Sequence, residues 1–167
     1  MKNIIILAFV SICLVACTSS TEKKQGENID LVKNYIKSVE ELDFNSMGTF
    51  LDENYLGLGP SYGDSINKAE AVENWKSNVE NLYEKITYTR SRFSSASIPD
   101  GENKGEWVTN WAELNIQYKN GKGSVIIWAN TNYLIQDGKI LKSLTLYNEA
   151  DAMRQLGYKM VPVANEE

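Results

Sequence analysis

A carboxylate held in an apolar pocket can serve as a general acid or base, because desolvation raises its pKa toward the working range. Asp64, Glu113, Glu149 and Asp151 are the candidates for that role. Each also has a structural reading: Asp64 in a turn, Glu113 on an outward strand face, Glu149 and Asp151 at the solvated start of a last helix. Tyr55, Tyr88 and Tyr133 could donate to a developing oxyanion, or simply pack and hydrogen-bond. Arg90 and Arg92 alternate along a strand, where they could meet an anionic ligand or point to water and guard an edge. The chain has no histidine, which removes Ser-His-Asp and Cys-His catalysis and most zinc sites. With no metal cluster, phosphate loop or triad in the sequence, neither a metal nor a cofactor is expected.

The elements that must position these groups divide the 167 residues into four parts. Lys2 precedes an apolar run from Ile4 to Ala16 that has the length of a signal-peptide core and is too short to span a bilayer. Thr18 to Asn28 is polar and aperiodic, which predicts a flexible tether. Residues 29–157 form one folded domain, and 158–167 a carboxy-terminal tail. The net charge is −5 and there is no basic stripe, so nucleic acid is not an expected partner.

Ile29, Val32, Ile36, Val39 and Leu42 recur at helical spacing and predict an amphipathic first helix with Lys33, Lys37 and Glu40 on its polar face. Asp43 can cap a short second helix that buries Phe44, Met47, Phe50 and Leu51, with Gly48 as its weak point. Residues 53–58 read as a short strand, followed by a loop rich in glycine. Asn67 to Glu70 has the form of a capping box for a third helix running to about Leu82.

Four long strands follow, over residues 85–98, 105–118, 123–136 and 139–148. Asn120-Gly121 and Asp137-Gly138 predict tight type I′ hairpins, and these fix a register. Ile116 then meets Val125 and Val108 meets Tyr133; Ile135 meets Ile140 and Thr131 meets Leu144. One face collects aliphatic residues, Leu144 and Leu146 among them, interrupted by Asn110, Thr131, Tyr133, Lys142 and Asn148. The helices should cover that face. Asn110, Thr131, Tyr133 and Asn148 of that face, together with Tyr55 and Tyr88, are the candidate ligand pocket. The opposite face carries Trp107, Trp111, Trp128 and Tyr147 among polar groups, a pattern that suits an interface or partial shielding by strand ends. A bulge would exchange parts of the two sets.

Two stretches carry resemblances. Leu14-Val15-Ala16-Cys17 resembles a bacterial lipobox, which implies cleavage after Ala16, a multiply acylated Cys17 and attachment to a membrane of the bacterial cell envelope, facing the periplasm or the outside. The order of helices and strands, with Asp137-Gly-Lys-Ile140, Leu146-Tyr-Asn148 and Gln155-Leu-Gly157, resembles the SnoaL-like branch of the nuclear transport factor 2-like superfamily. That resemblance implies an α+β cone: a curved antiparallel sheet wraps three amino-terminal helices and leaves an apolar pocket at its wide end. Many relatives pair through the outer sheet face, so a homodimer is implied. Asn148 stands where such relatives often carry an aspartate, and an amide cannot act as a base. Three functions are compatible with these features: binding of a small, mainly apolar ligand, cofactor-free isomerase, lyase or cyclase chemistry on one of the four carboxylates, or docking to an envelope protein through the tryptophans.

Overall fold

The computed structural model describes residues 2–161, with side chains from Thr21 onward. The expected lipidation at Cys17 therefore falls on a side chain outside those described, as does the end of the tail. The elements run α1 (Lys2–Glu40), α2 (Phe44–Phe50), β1 (Leu51–Leu58), β2 (Ser65–Asn67), α3 (Lys68–Asn81), β3 (Tyr83–Ile98), β4 (Gly105–Tyr118), β5 (Ser124–Gln136), β6 (Lys139–Tyr147) and α4 (Glu149–Gln155). Among the described residues no helix is long and apolar enough to cross a membrane.

The helix starts follow from local hydrogen bonding. Asp43 accepts the Ser46 amide at the head of α2. At α3 the Asn67 side chain takes the Glu70 amide while the Glu70 carboxylate takes the Asn67 amide, so two orphan donors are satisfied reciprocally. Gly48 packs closely on α3: a β-carbon there would lie 3.0 Å from Val72 Cγ2, so its absence eases the approach of α2 and α3.

The first helix departs from expectation. Residues 18–28 were expected as a flexible tether, yet α1 is continuous through them. Lys24 pairs with Glu106 at 3.6 Å, and Asn28 is buried. Polar composition hid this, because α1 is anchored over 24–28 by contacts with the folded domain rather than by an apolar stripe.

One sheet of six strands has the order β2-β1-β6-β5-β4-β3. The expected meander is β3 to β6, and β1 adds to it in parallel with β6, so the sheet is mixed rather than purely antiparallel. The strand β2 lies at the end of the stretch expected to be a loop, paired with β1. Asn120, Gly121, Asp137 and Gly138 all have positive φ, as type I′ turns demand. The β4/β5 register is as expected, with Ile116 opposite Val125 and Val108 opposite Tyr133.

The β5/β6 register holds only at the tip. Ile135 meets Ile140, but Leu134 then meets Lys142, so β6 bulges by one residue. Beyond the bulge parity reverses, and Thr131 faces Thr145 instead of Leu144. Ser143, Thr145 and Tyr147 accordingly turn to the helix-covered face, while Leu144 and Leu146 turn outward, Leu146 being 48% exposed. Tyr147 does not belong to the outer aromatic patch.

The core lies between the helices and the concave sheet face. Val32, Val39, Met47, Val108, Val125 and Ile140 are almost wholly buried. Each such side chain contributes on the order of 1.5–3 kcal/mol through removal from water. On the convex face Trp111 and Trp128 are more than half exposed, beside Ile126. Trp107 is less free, because its indole N–H donates to the Asn103 carbonyl at 2.8 Å and ties down the β3/β4 loop.

Candidate functional site

Between α1, α3, α4 and the concave sheet lies a cavity of about 630 Å³, a volume suited to a small organic ligand. Its lining is largely aliphatic with seven tyrosines among it, and these aromatics fall into an inner and an outer tier.

The inner tier comprises Tyr35 of α1, Tyr55 of β1, Tyr88 of β3 and Tyr133 of β5. Tyr35 is at helical spacing from Val32 and Val39 and so shares their buried stripe. Its ring meets Tyr133 edge-on, with centroids 5.9 Å apart. The Tyr55 and Ser143 hydroxyls are 2.7 Å apart. Gly57 makes room for that contact, since a β-carbon there would sit 2.7 Å from the Tyr55 oxygen. Thr131 and Thr145 pair their hydroxyls at 3.2 Å across β5 and β6.

Burial raises all four phenols above their ordinary pKa. For Tyr35 the neighbouring Tyr55 and Tyr133 add to the effect, and for Tyr133 the Tyr88 phenol does. Tyr88 is raised by burial, then by Tyr35 and by the Glu40 carboxylate. Tyr55 is raised by burial and partly relieved by its bond to Ser143. Four neutral phenols thus converge on the inner end, able to donate to a ligand oxygen.

The outer tier comprises Trp75, Tyr83, Tyr118 and Tyr147, all partly exposed. Trp75 and Tyr83 stand 6.0 Å apart between ring centroids, and Tyr83 and Tyr118 5.8 Å. Tyr83 is pushed up to about 12 by burial and then by the phenols of Tyr118 and Tyr147. The helix α4 completes this end, with Glu149, Ala152, Met153 and Leu156 on the lining. It is fastened by Gln155, which donates to the Ile126 carbonyl and accepts the Ile126 amide, each at 2.9 Å.

Of the residues expected to form the pocket, Tyr55, Tyr88, Thr131 and Tyr133 come together on the lining. Asn110 and Asn148 do not. Asn110 is buried against the β3 bulge, its amide directed to the Arg92 carbonyl at 3.5 Å. Asn148 caps α4 by accepting the Asp151 amide at 3.0 Å. Tyr35, Trp75, Tyr83, Tyr118, Ser143, Thr145 and Tyr147 were not expected there. Helical spacing from Val32 could have found Tyr35, and strand parity with Ile116 could have found Tyr118. Ser143, Thr145 and Tyr147 become visible only once the bulge in β6 is known.

The four candidate carboxylates separate. Glu113 lies on the convex face, bonded to Thr89 and paired with Arg90 at 3.4 Å. Asp151 is exposed on α4, and its hydrogen bonds with Arg154 and Gln155 hold it below the usual carboxylate range. Asp64 and Glu149 do line the cavity, at its exposed rim. Arg90 and Arg92 are exposed on β3 and take no part in the lining. Among the described residues no group of acidic or cysteine side chains could hold a metal ion.

Neither a family model nor any curated protein matches the sequence. Solved structures do match in three dimensions. A proposed polyketide cyclase from Xanthomonas campestris pv. campestris superposes with a TM-score of 0.65 at 14% identity, over 79% of this chain and 98% of that one. A protein of ketosteroid isomerase-like fold from Catenulispora acidiphila, solved in complex with trimethylamine, gives 0.61 at 13%, over 79% and 97%. A nuclear transport factor 2-like protein from Burkholderia xenovorans gives 0.61 at 13%, also over 79% and 97%. The cone expected from the sequence is thus the architecture observed, and the chain has the nuclear transport factor 2-like fold.

Proposed function

We propose that this protein is a lipid-anchored binding domain of a bacterial cell envelope that takes a small, mainly apolar ligand into its tyrosine-lined cavity. One observation carries the reading: the cavity is lined by aliphatic side chains, aromatic rings and neutral hydroxyls, and among the described residues its carboxylates, Asp64 and Glu149, are confined to the exposed rim. Such a site supplies apolar area and a few directed hydrogen bonds, which are the requirements of small-molecule recognition. General-base catalysis would need a desolvated carboxylate beside the ligand, so binding accounts for these residues better than an isomerase, lyase or cyclase activity does. A protein of the same fold was solved in complex with trimethylamine, which supports small-molecule binding by a domain of this kind. The test is native mass spectrometry of the protein purified gently from its own host. A reproducible small-molecule mass, lost on filling the cavity by Ser143→Phe, is the expected result; a bare protein with an unfilled cavity sinks the reading.

The lipobox at Leu14 to Cys17 supports the anchor. Cys17→Ser should abolish acyl modification and membrane retention, and a variant still carrying lipid would refute it. With α1 helical before Lys24, the segment between anchor and domain is a short rod rising about 1.5 Å per residue rather than a loose tether.

The convex face favours a homodimer. Trp111, Ile126, Trp128 and Leu146 expose apolar surface there on adjoining strands, and large aromatic side chains concentrate at interfaces. Trp128→Lys should leave a folded monomer in sedimentation. Unchanged mass would remove this face from any self-association, and capture of a different envelope protein through it would favour the docking alternative.

A further inference from the structure

We propose that the ligand carries an alkylated ammonium group, held at the cavity mouth in the aromatic box of Trp75, Tyr83, Tyr118 and Tyr147 with the Glu149 carboxylate beside it. The inference rests on the cavity reading above and adds the charge and chemical class of the ligand.

Three observations converge on it. The first is ring density: Trp75, Tyr83 and Tyr118 follow one another at centroid distances of 6.0 and 5.8 Å, tilted 48° and 38° rather than stacked. Tyr147, on the neighbouring part of the lining, is within electrostatic reach of both Tyr83 and Tyr118. Tilted rings around one space turn more than one negative π face toward it, and a cation within about 6 Å of such faces is attracted by the ring quadrupoles.

The second is the sign of the charge. Glu149 lies close enough to Tyr147 to act on its phenol, and Asp64 stands on the same rim. Neither carboxylate has an ion-pair or hydrogen-bond partner for its side chain among the described residues. Among the described residues no lysine or arginine lines the cavity. Lys119, next to Tyr118 in sequence, is engaged elsewhere, donating to the Val79 and Glu80 carbonyls at the end of α3. An anionic ligand would therefore meet repulsion at the mouth, and a neutral one without a hydrogen-bond donor there would gain nothing from the carboxylates.

The third is the division of the cavity. The inner-tier side chains on the lining are neutral and hydroxylated, and the Glu40 carboxylate near them lies off the lining and accepts the Tyr88 amide at 2.7 Å, so this tier suits an uncharged tail bearing an oxygen, while the outer tier suits a cationic head. An ammonium whose hydrogens are replaced by alkyl groups fits better than a primary amine. It spreads its charge over apolar surface, needs no hydrogen-bond acceptors, and is less costly to desolvate between rings.

The experiment uses the full-length chain in detergent and two probes of the same shape: choline, and its neutral all-carbon counterpart 3,3-dimethylbutan-1-ol. Calorimetric titration should show choline binding about tenfold or more tightly than the neutral probe, the ratio that a desolvated cation–π site supports. Glu149→Gln, a change at an exposed position, should lower choline affinity several-fold and leave the neutral probe unaffected. Tyr83→Leu should reduce the preference for choline. Equal or tighter binding of the neutral probe overturns the ammonium inference and leaves the cavity reading intact. Binding of neither, together with failure to retain any host ligand, overturns both.

Discussion

The hydroxyls of Tyr55 and Ser143 lie 2.7 Å apart although 88 residues separate them in sequence. Their contact joins β1 to β6, the first and last strands in chain order and neighbours in the sheet, because Gly57, two residues beyond Tyr55, pairs in register with Ser143. Both side chains are buried, so each hydroxyl depends on the other for its hydrogen bond.

Removing both partners should therefore cost less than the sum of removing each alone. Tyr55→Phe or Ser143→Ala each leaves one buried hydroxyl unsatisfied, at about 1–3 kcal/mol. The double variant should lose less than the sum, with a coupling of roughly 0.5–1.5 kcal/mol. Urea unfolding of the four proteins measures the cycle. Strict additivity would mean that the two hydroxyls are not paired in solution.

That pair also shows where the sequence stopped being legible. The turns Asn120-Gly121 and Asp137-Gly138 have side-chain chemistry that dictates a backbone, and the β4/β5 register follows from the first of them without error. The capping box at Asn67 and Glu70 is equally local. The extra residue in β6 has no such signature. Lys139 to Tyr147 alternates well enough in either parity, so the choice is made by packing, which turns Ser143 and Tyr147 toward the cavity and Leu144 and Leu146 to the opposite face. Tyr55, Tyr88, Thr131 and Tyr133 lie outside the region of reversed parity and are on the cavity lining; Asn148 lies beyond it and caps α4, while Asn110 keeps the expected register but is turned to the Arg92 carbonyl. The parallel pairing of β1 with β6 was hidden for a related reason, since it joins segments far apart in the chain with no turn between them to fix a register.

The tyrosine cluster predicts alkaline lability. Tyr83 is raised by burial to about 12, and Tyr35, Tyr88 and Tyr133 are raised by burial as well. A folded pKa above the unfolded value means that the folded state keeps its proton where the unfolded state has released it. Stability is thus fully present below the unfolded value of 10.0 and is lost as pH rises toward 12. Each buried phenol adds a slope of about 1.4 kcal/mol per pH unit across its window. Most phenolate absorbance should appear together with loss of the folded circular dichroism signal. Complete titration near pH 10 in a protein that stays folded would contradict the burial of these rings.

The fastening of α4 predicts an unequal response to two changes at Gln155. Because β6 ends at Tyr147, opposite Ala129, the Ile126 backbone has no strand on that side and Gln155 takes its place. Gln155→Glu keeps the acceptor for the Ile126 amide but sets a carboxylate against the Ile126 carbonyl and against Asp151, to which Gln155 now donates. We expect a loss of about 1–3 kcal/mol, partly recovered at acidic pH where the new side chain is protonated and can donate again. Gln155→Leu should lose stability without that recovery. Faster amide exchange at Ile126 in both variants would locate the effect, and unchanged exchange would mean that α4 is held by Ala152 and Leu156 alone.

Asn148 separates a cap from a ligand contact. Its side chain accepts the Asp151 amide at 3.0 Å and lies outside the cavity lining. A cap depends on an oxygen acceptor of the right reach, and Asn and Asp are nearly equivalent in that position. Asn148→Ala should therefore destabilise the protein by about 1 kcal/mol, and Asn148→Asp should hold stability within a few tenths. Ligand retention should fall in Asn148→Ala only as far as α4 frays from the cavity mouth, and should survive in Asn148→Asp. If Asn148→Ala keeps its urea midpoint yet loses ligand, the side chain reaches the ligand directly and the cap assignment fails. The two variants together make the distinction, because Asp replaces the capping oxygen but cannot replace the amide as a donor.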